Sequence, residues 1–159
     1  MTQEDALRWL DGRSQWGIAK LYPGDEMDAL ILALHGVKEV DGAWRTWDGR
    51  ELKRGVLRPS RSLGDAMLCA TNWSKSVRQA YAGTVHIVYS PRHAAWYTSM
   101  GISGIREAYT RCSGDGETPI LSLCRALIGV VRAVRLAGVE RFCPWLPQKA
   151  ALAHCAPAR

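Results

Sequence analysis

The chain has 159 residues, a net charge of +6, 47% apolar and 23% charged residues, a size and balance that suit one folded domain and exclude a disordered tail or a fibrous repeat. No run approaches the roughly 18 to 20 uninterrupted apolar residues of a bilayer span, and Met1 to Asp11 is acidic and amphipathic rather than a secretory leader, so a cytoplasmic chain with no membrane contact is expected. The five cysteines, Cys69, Cys112, Cys124, Cys143 and Cys155, are odd in number and contain no C-x-x-C pair, which speaks against a disulfide framework.

Thr2 followed three residues later by Asp5 has the form of a capping box, and Ala6, Leu7, Trp9 and Leu10 then predict a short helix ending near Gly12. Trp16 and Ile18 fall in a predicted loop closed by Tyr22, Pro23 and Gly24. Asp25, Glu26 and Asp28 load acid onto the start of a second helix, whose Met27, Leu30, Ile31 and Leu34 recur at helical spacing until Gly36. Between Val37 and Leu52 the period changes. Asp41-Gly42 and Asp48-Gly49, flanked by Val40, Trp44 and Trp47, predict a small β-meander. Arg50 to Arg61 carries Arg50, Lys53, Arg54, Arg58 and Arg61 and reads as an exposed basic connector.

Ser62 and Asp65 repeat the capping pattern and open a helix lined by Ala66, Ala70, Trp73, Val77 and Ala80, with Gly83 at its end. Thr84 to Tyr89 is a β-branched apolar run that fits either a buried strand or a buried helical turn. Thr118-Pro119 starts the longest helix, which Gly138 stops. Its stripe of Ile120, Cys124, Leu127, Val131 and Val134 makes a narrow seam for another helix, of the same chain or of a second copy in a homodimer. The expected fold is mainly α, a helical domain with a helix-turn-helix-like element and a small β-meander insertion. Its parts are residues 1–61, the helical core 62–142 and a tail 143–159.

Ser90-Pro91 reads as an N-cap with proline at the first helical position, leading through Arg92, His93, Ala94, Ala95, Trp96, Tyr97 and Met100 to the turn Gly101-Ile102-Ser103. In the helix that Ser103 would cap, Ile105, Ala108, Tyr109 and Cys112 share a face, and Arg106 and Thr110 point the other way, flanked by Glu107 and Arg111. Helix, glycine turn and capped helix over residues 90–112 is the layout that sets a recognition helix in the DNA major groove.

From about Ala66 to Arg135, with that Gly-Ile-Ser turn and a long apolar-and-basic helix over residues 119–137, the chain resembles phage Q-type antitermination proteins and the sigma-factor region-four modules similar to them. It departs from their pattern at Tyr97, where a small residue is usual, and at Glu107, where an aliphatic one is. The resemblance implies a transcription regulator of a bacterial host cell that binds double-stranded DNA and touches RNA polymerase or another host protein. Arg92, Ser103, Arg106, Thr110 and Arg111 are the expected DNA contacts of the motif.

Charge divides the chain, with net −4 through Gly42 and +10 from Ala43 onward. Arg50, Arg54, Arg125 and Arg132 are therefore expected on phosphates, and Asp25, Glu26 and Asp28, with Trp44 and Trp47, on a protein partner. A protein-binding inhibitor of a host enzyme, without a DNA target, is the alternative the seven tryptophans favour.

Catalysis has one candidate, Asp41 with Glu51-Leu52-Lys53, a pattern by which metal-dependent nucleases hold magnesium beside a basic group. No histidine pair, nucleophile elbow or phosphate-cradling glycine loop accompanies it, so no catalytic residue is assigned. No cofactor or metal is expected; Cys143, His154 and Cys155 are the only set soft enough for zinc.

Overall fold

A computed structural model describes residues 1–53, 55–77, 82–103 and 112–147. The elements run α1 (Gln3–Asp11), α2 (Gln15–Ala19), α3 (Asp25–Leu34), β1 (Lys38–Val40), β2 (Ala43–Arg45), β3 (Glu51–Leu52), α4 (Leu63–Ser76), β4 (Ala82–Ser90), β5 (Ala95–Ser103), β6 (Cys112–Gly116), α5 (Pro119–Ala137) and a 3₁₀ turn at Glu140–Phe142.

Local signals set the helices. The Thr2 hydroxyl accepts the Asp5 amide and the Asp5 carboxylate reaches back to Thr2, so both ends of the capping box are present at α1. Those Thr2 hydrogen bonds hold the Asp5 carboxyl below its ordinary value. Ser14 caps the five-residue α2, where sequence alone predicts a loop. Helix α3 ends at His35 and Gly36, whose φ of +64° suits glycine and whose missing Cβ makes room for Trp47. Asp41 and Gly42, at φ of 53° and 76°, form the two-residue turn between β1 and β2, and β1, β2 and β3 pair antiparallel in that order. Ser62 caps α4, which ends at Ser76, short of the expected Gly83, because Val77 turns extended.

Residues 90–103 do not form the first helix and turn of the expected helix-turn-helix, and the fold is not mainly α. It is mixed α/β, with two three-stranded antiparallel sheets. Ser90 ends β4 instead of capping a helix, Pro91 to Ala94 make the loop, and Ala95–Ser103 is the central strand. Gly101-Ile102-Ser103 lies within that strand instead of forming a turn between two helices. The physical reason is the period. Trp96, Thr98, Met100 and Ile102 alternate with Tyr97, Ser99 and Gly101, and their partners Thr84 to Tyr89 are rich in β-branched and aromatic side chains; pairing nine residues with nine outweighs a Ser-Pro start signal. Arg106, Thr110 and Arg111 lie outside the described residues, as does Arg54.

Helix α5 is the centre of the core. Leu123, Cys124, Leu127, Ile128, Val130 and Val131 are all buried, because α5 packs against β5 and β6 on one side and against α2, α3 and α4 elsewhere. It approaches β6 at Gly114 and Gly116, where any Cβ would run into the backbone at Ser122. The buried hydroxyls of Thr98 and Ser122 meet at 2.8 Å between sheet and helix. His35 Nε2 donates to the Leu127 carbonyl at 2.8 Å, joining α3 to α5. Arg135 on α5, its side chain 3% exposed, grips Asp11 at the end of α1 with two hydrogen bonds of 2.9 and 2.6 Å. The seam expected to seek another helix is thus filled by the chain itself. No described helix is long and apolar enough to cross a membrane.

Candidate functional site

The β4–β5–β6 sheet has two unlike faces. Register places Gly83, Val85, Ile87 and Tyr89 of β4 beside Ile102, Met100, Thr98 and Trp96 of β5, and this face meets α4 and α5. The opposite face carries Thr84, His86 and Val88 from β4, Tyr97 and Ser99 from β5, and Ser113 and Asp115 from β6. No described element packs there: His86, Ser113 and Asp115 are exposed and Val88 is 58% exposed. His86–Ser99–Ser113 and Val88–Tyr97–Asp115 form adjacent cross-strand rows, with the phenol of Tyr97 central. The 90–95 loop folds beside it, His93 standing edge-on to Tyr97 at 6.1 Å and bonded through Nδ1 to the Ser90 hydroxyl at 3.1 Å. Such a face offers hydroxyls, a phenol, an imidazole and one methyl cluster for recognition, with Asp115 its one formal charge among the described residues.

These residues were missed in the sequence because residues 90–103 read as a helix. The β-branched and aromatic run Thr84–Tyr89 and the turn-forming Pro91-Arg92-His93-Ala94 after it were the available, though incomplete, signal for a hairpin.

The expected phosphate contacts are mostly engaged within the fold. Arg125 donates to the carbonyls of Asp115 at 2.8 Å and Leu21 at 3.1 Å, and Arg132 to that of Arg13 at 2.9 Å, so both are struts between elements. Arg50 donates to Asn72 at 2.9 Å and stays exposed. Arg92 is exposed in the hairpin loop. Of the acidic set, Asp28 is buried and accepts the Ser60 amide at 2.6 Å, Asp25 pairs with Arg61 at 2.6 Å, and Glu26 is exposed. Trp44 is half-buried in β2.

Trp47 lines a second concavity of about 530 Å³ with Trp145, Met1, Thr2 and Lys38, the two rings 6.4 Å apart. Its indoles already donate inward, Trp47 to Ser76 at 2.8 Å and Trp145 to the Leu34 carbonyl at 3.2 Å, and Gln3 is bonded to the Trp145 carbonyl. With both indole N–H groups engaged inside the fold, it offers fewer free polar groups than the sheet face.

The nuclease geometry is not assembled. Glu51 sits 3.6 Å from Arg45, and Asp41 lies in the β1–β2 turn beyond Ala43, so their carboxylates are separated by two residue pairs or more, roughly 7 Å along the ladder. Among the described residues no group of three metal-ligating side chains converges. Burial pushes the Cys69 and Cys143 thiols up to about 12 and raises Cys124 as well, which leaves none of the three as a nucleophile. His154 and Cys155 lie outside the described residues. No protein family, curated protein or solved structure matches the chain.

Proposed function

We propose that the chain is a protein-binding module whose docking surface is the open face of the β4–β5–β6 sheet. The observation that carries this reading is the uncovered face itself, with Tyr97 at its centre, Val88 exposed beside it and hydroxyls around them. Among the described residues of the three strands its one formal charge, on Asp115, is balanced by Arg125 at 3.9 Å, so the face has no excess of positive charge to draw phosphate, whereas a phenol, a valine and a ring of hydroxyls suit a flat, uncharged protein surface. The alternative expected from sequence is an inhibitor that covers a host enzyme with a tryptophan-rich surface; the protein partner is kept here and the contact moves to this face, whose described residues include Tyr97 and no tryptophan.

A second reading, DNA binding, is favoured by the connector after β3, which exposes Lys53 and Arg58 beside Arg50 and Arg61. Phosphate contact there would be made without the first helix of the expected motif, whose place the strand Ala95–Ser103 takes.

One experiment separates the two. A photo-crosslinking amino acid is placed at Ser99 on the face and, as a control, at exposed Glu4, and the purified protein is also run in mobility shifts with genomic fragments at two salt concentrations. A discrete adduct with another protein from Ser99 and none from Glu4 supports the module. If neither position gives an adduct and a salt-sensitive shift disappears in Lys53→Gln/Arg58→Gln, the DNA reading replaces it.

A further inference from the structure

The two edges of the β4–β5–β6 sheet are treated differently. At the β6 edge, Gln15 takes the Ser113 carbonyl at 3.1 Å and Arg125 takes the Asp115 carbonyl at 2.8 Å, and the strand is short, glycine-rich and charged. Those are devices that stop a further strand from adding. At the β4 edge, Ala82–Ser90 is nine residues long and contains no Lys, Arg, Asp, Glu or Pro. Ser74 on α4 meets one end of it, its hydroxyl donating to the Gly83 carbonyl at 2.7 Å. That bond directs the Gly83 carbonyl away from β5, and in a strand alternate residues share a side, so Val85, Ile87 and Tyr89 turn their N–H and C=O groups outward. Apolar side chains gather at the same edge: Val88 is 58%, Tyr89 50% and Met67 on α4 39% exposed. Between α4 and β4 runs a groove of about 360 Å³ lined by Met67, Ala70, Thr71, Lys75 and Val85.

We infer that this edge pairs antiparallel with β4 of a second copy, about a two-fold axis at Ile87, and joins two three-stranded sheets into one of six strands. The strand is complementary to itself in that register. Ile87 meets the partner's Ile87, Val85 meets the partner's Tyr89, His86 meets the partner's Val88 and Thr84 meets the partner's Ser90. The strand has no Lys, Arg, Asp or Glu and His86 stands opposite Val88, so no like charges face each other in this register. The outward groups of Val85, Ile87 and Tyr89 then fall in the narrow, doubly hydrogen-bonded pairs of an antiparallel ladder. Because Val85 lies on the face towards α4, the partner's Tyr89 opposite it enters the α4–β4 groove. A two-fold contact of this kind closes on itself and buries the edge that would otherwise recruit strands without limit. This inference is independent of the proposed protein-binding face, which it would double in width without covering.

The test uses the full chain. Sedimentation equilibrium should give twice the 17.6 kDa of one copy, and Tyr89→Asp should weaken the self-association by about tenfold or more while the circular dichroism stays native. Register is read by disulfide trapping: H86C and V88C, purified separately and mixed, should oxidise to a crosslinked heterodimer far faster than either variant alone or the native thiols, since those two residues stand directly opposite in a wide pair. A chain that stays at 17.6 kDa up to hundreds of micromolar overturns the inference. So does a dimer that Tyr89→Asp leaves intact and that yields no H86C–V88C crosslink, because its interface lies elsewhere.

Discussion

One buried histidine should make the protein less stable across a defined pH window. His35 at the end of α3 is fully buried, donates from Nε2 to the Leu127 carbonyl, and has no hydrogen-bond partner at Nδ1. Burial lowers its pKa from 6.5 to about 4, opposed by the bond to Leu127, so the folded state keeps the ring neutral. Between pH 6.5 and 4 the unfolded chain takes up a proton that the folded chain refuses, and stability falls as pH falls. The stabilisation is complete above 6.5 and gone below about 4. At about 1.4 kcal/mol per unit, the shift corresponds to a loss on the order of 3 kcal/mol across that window. Asp5 and Asp48, whose pKa values lie below 3.8, add their losses only at lower pH. Urea denaturation at pH 7.5, 6, 5 and 4 reads the slope for the native chain and for His35→Gln, whose amide can keep the donor but cannot titrate. The native chain should lose most of its pH-dependent stability between 6.5 and 4, and His35→Gln, though less stable at pH 7.5, should show a much flatter profile. Equal slopes for the two would refute the assignment of this window to His35.

Asp11→Ala leaves the guanidinium of Arg135 buried without its carboxylate and should cost about 3 kcal/mol in chemical denaturation, whereas Asp11→Ala/Arg135→Met should recover part of that loss. Gly114→Ala sets a Cβ against the Ser122 carbonyl and the Ala126 amide, so α5 must lift from β6; a loss of roughly 3 kcal/mol and a clearly lower melting temperature are expected, and an unchanged one would contradict the packing. Cys69, Cys124 and Cys143 are buried with raised thiol pKa values, so alkylation at pH 8 followed by peptide mapping should find them unmodified in the folded chain and labelled in urea.

What was legible in the sequence was local. Thr2 and Asp5, Asp41-Gly42, Ser62 and Thr118-Pro119 each satisfy nearby backbone groups or set nearby dihedrals, and the cap, turn and helix starts stand where those residues place them. The β4–β5 hairpin was not legible in that way. Ser90-Pro91 is a sound helix start by itself, and Tyr97 and Met100 tolerate either conformation; only the cross-strand pairing of Thr84–Tyr89 with Trp96–Gly101 decides it, and that pairing is a long-range term. The same limit hid the duties of the charged residues. Arg125 and Arg132 look like phosphate ligands along a helix, but their partners at Leu21 and Arg13 are more than a hundred residues away in the chain. Asp28 looked like part of an acidic patch until the Ser60 amide, brought in by the connector, was found to hold it inside.

The account depends above all on residues 82–103 being a hairpin with one free face instead of the first helix of a DNA-reading motif. Backbone carbon chemical shifts of the isotope-labelled full chain decide this directly, because strand and helix displace the Cα and Cβ resonances in opposite directions. Ala95 to Ser103 should show an unbroken run of strand-type shifts, matched by a second run over Ala82 to Ser90. Helix-type shifts from Arg92 through Met100 would contradict the hairpin, and with it the open face and the β4 edge.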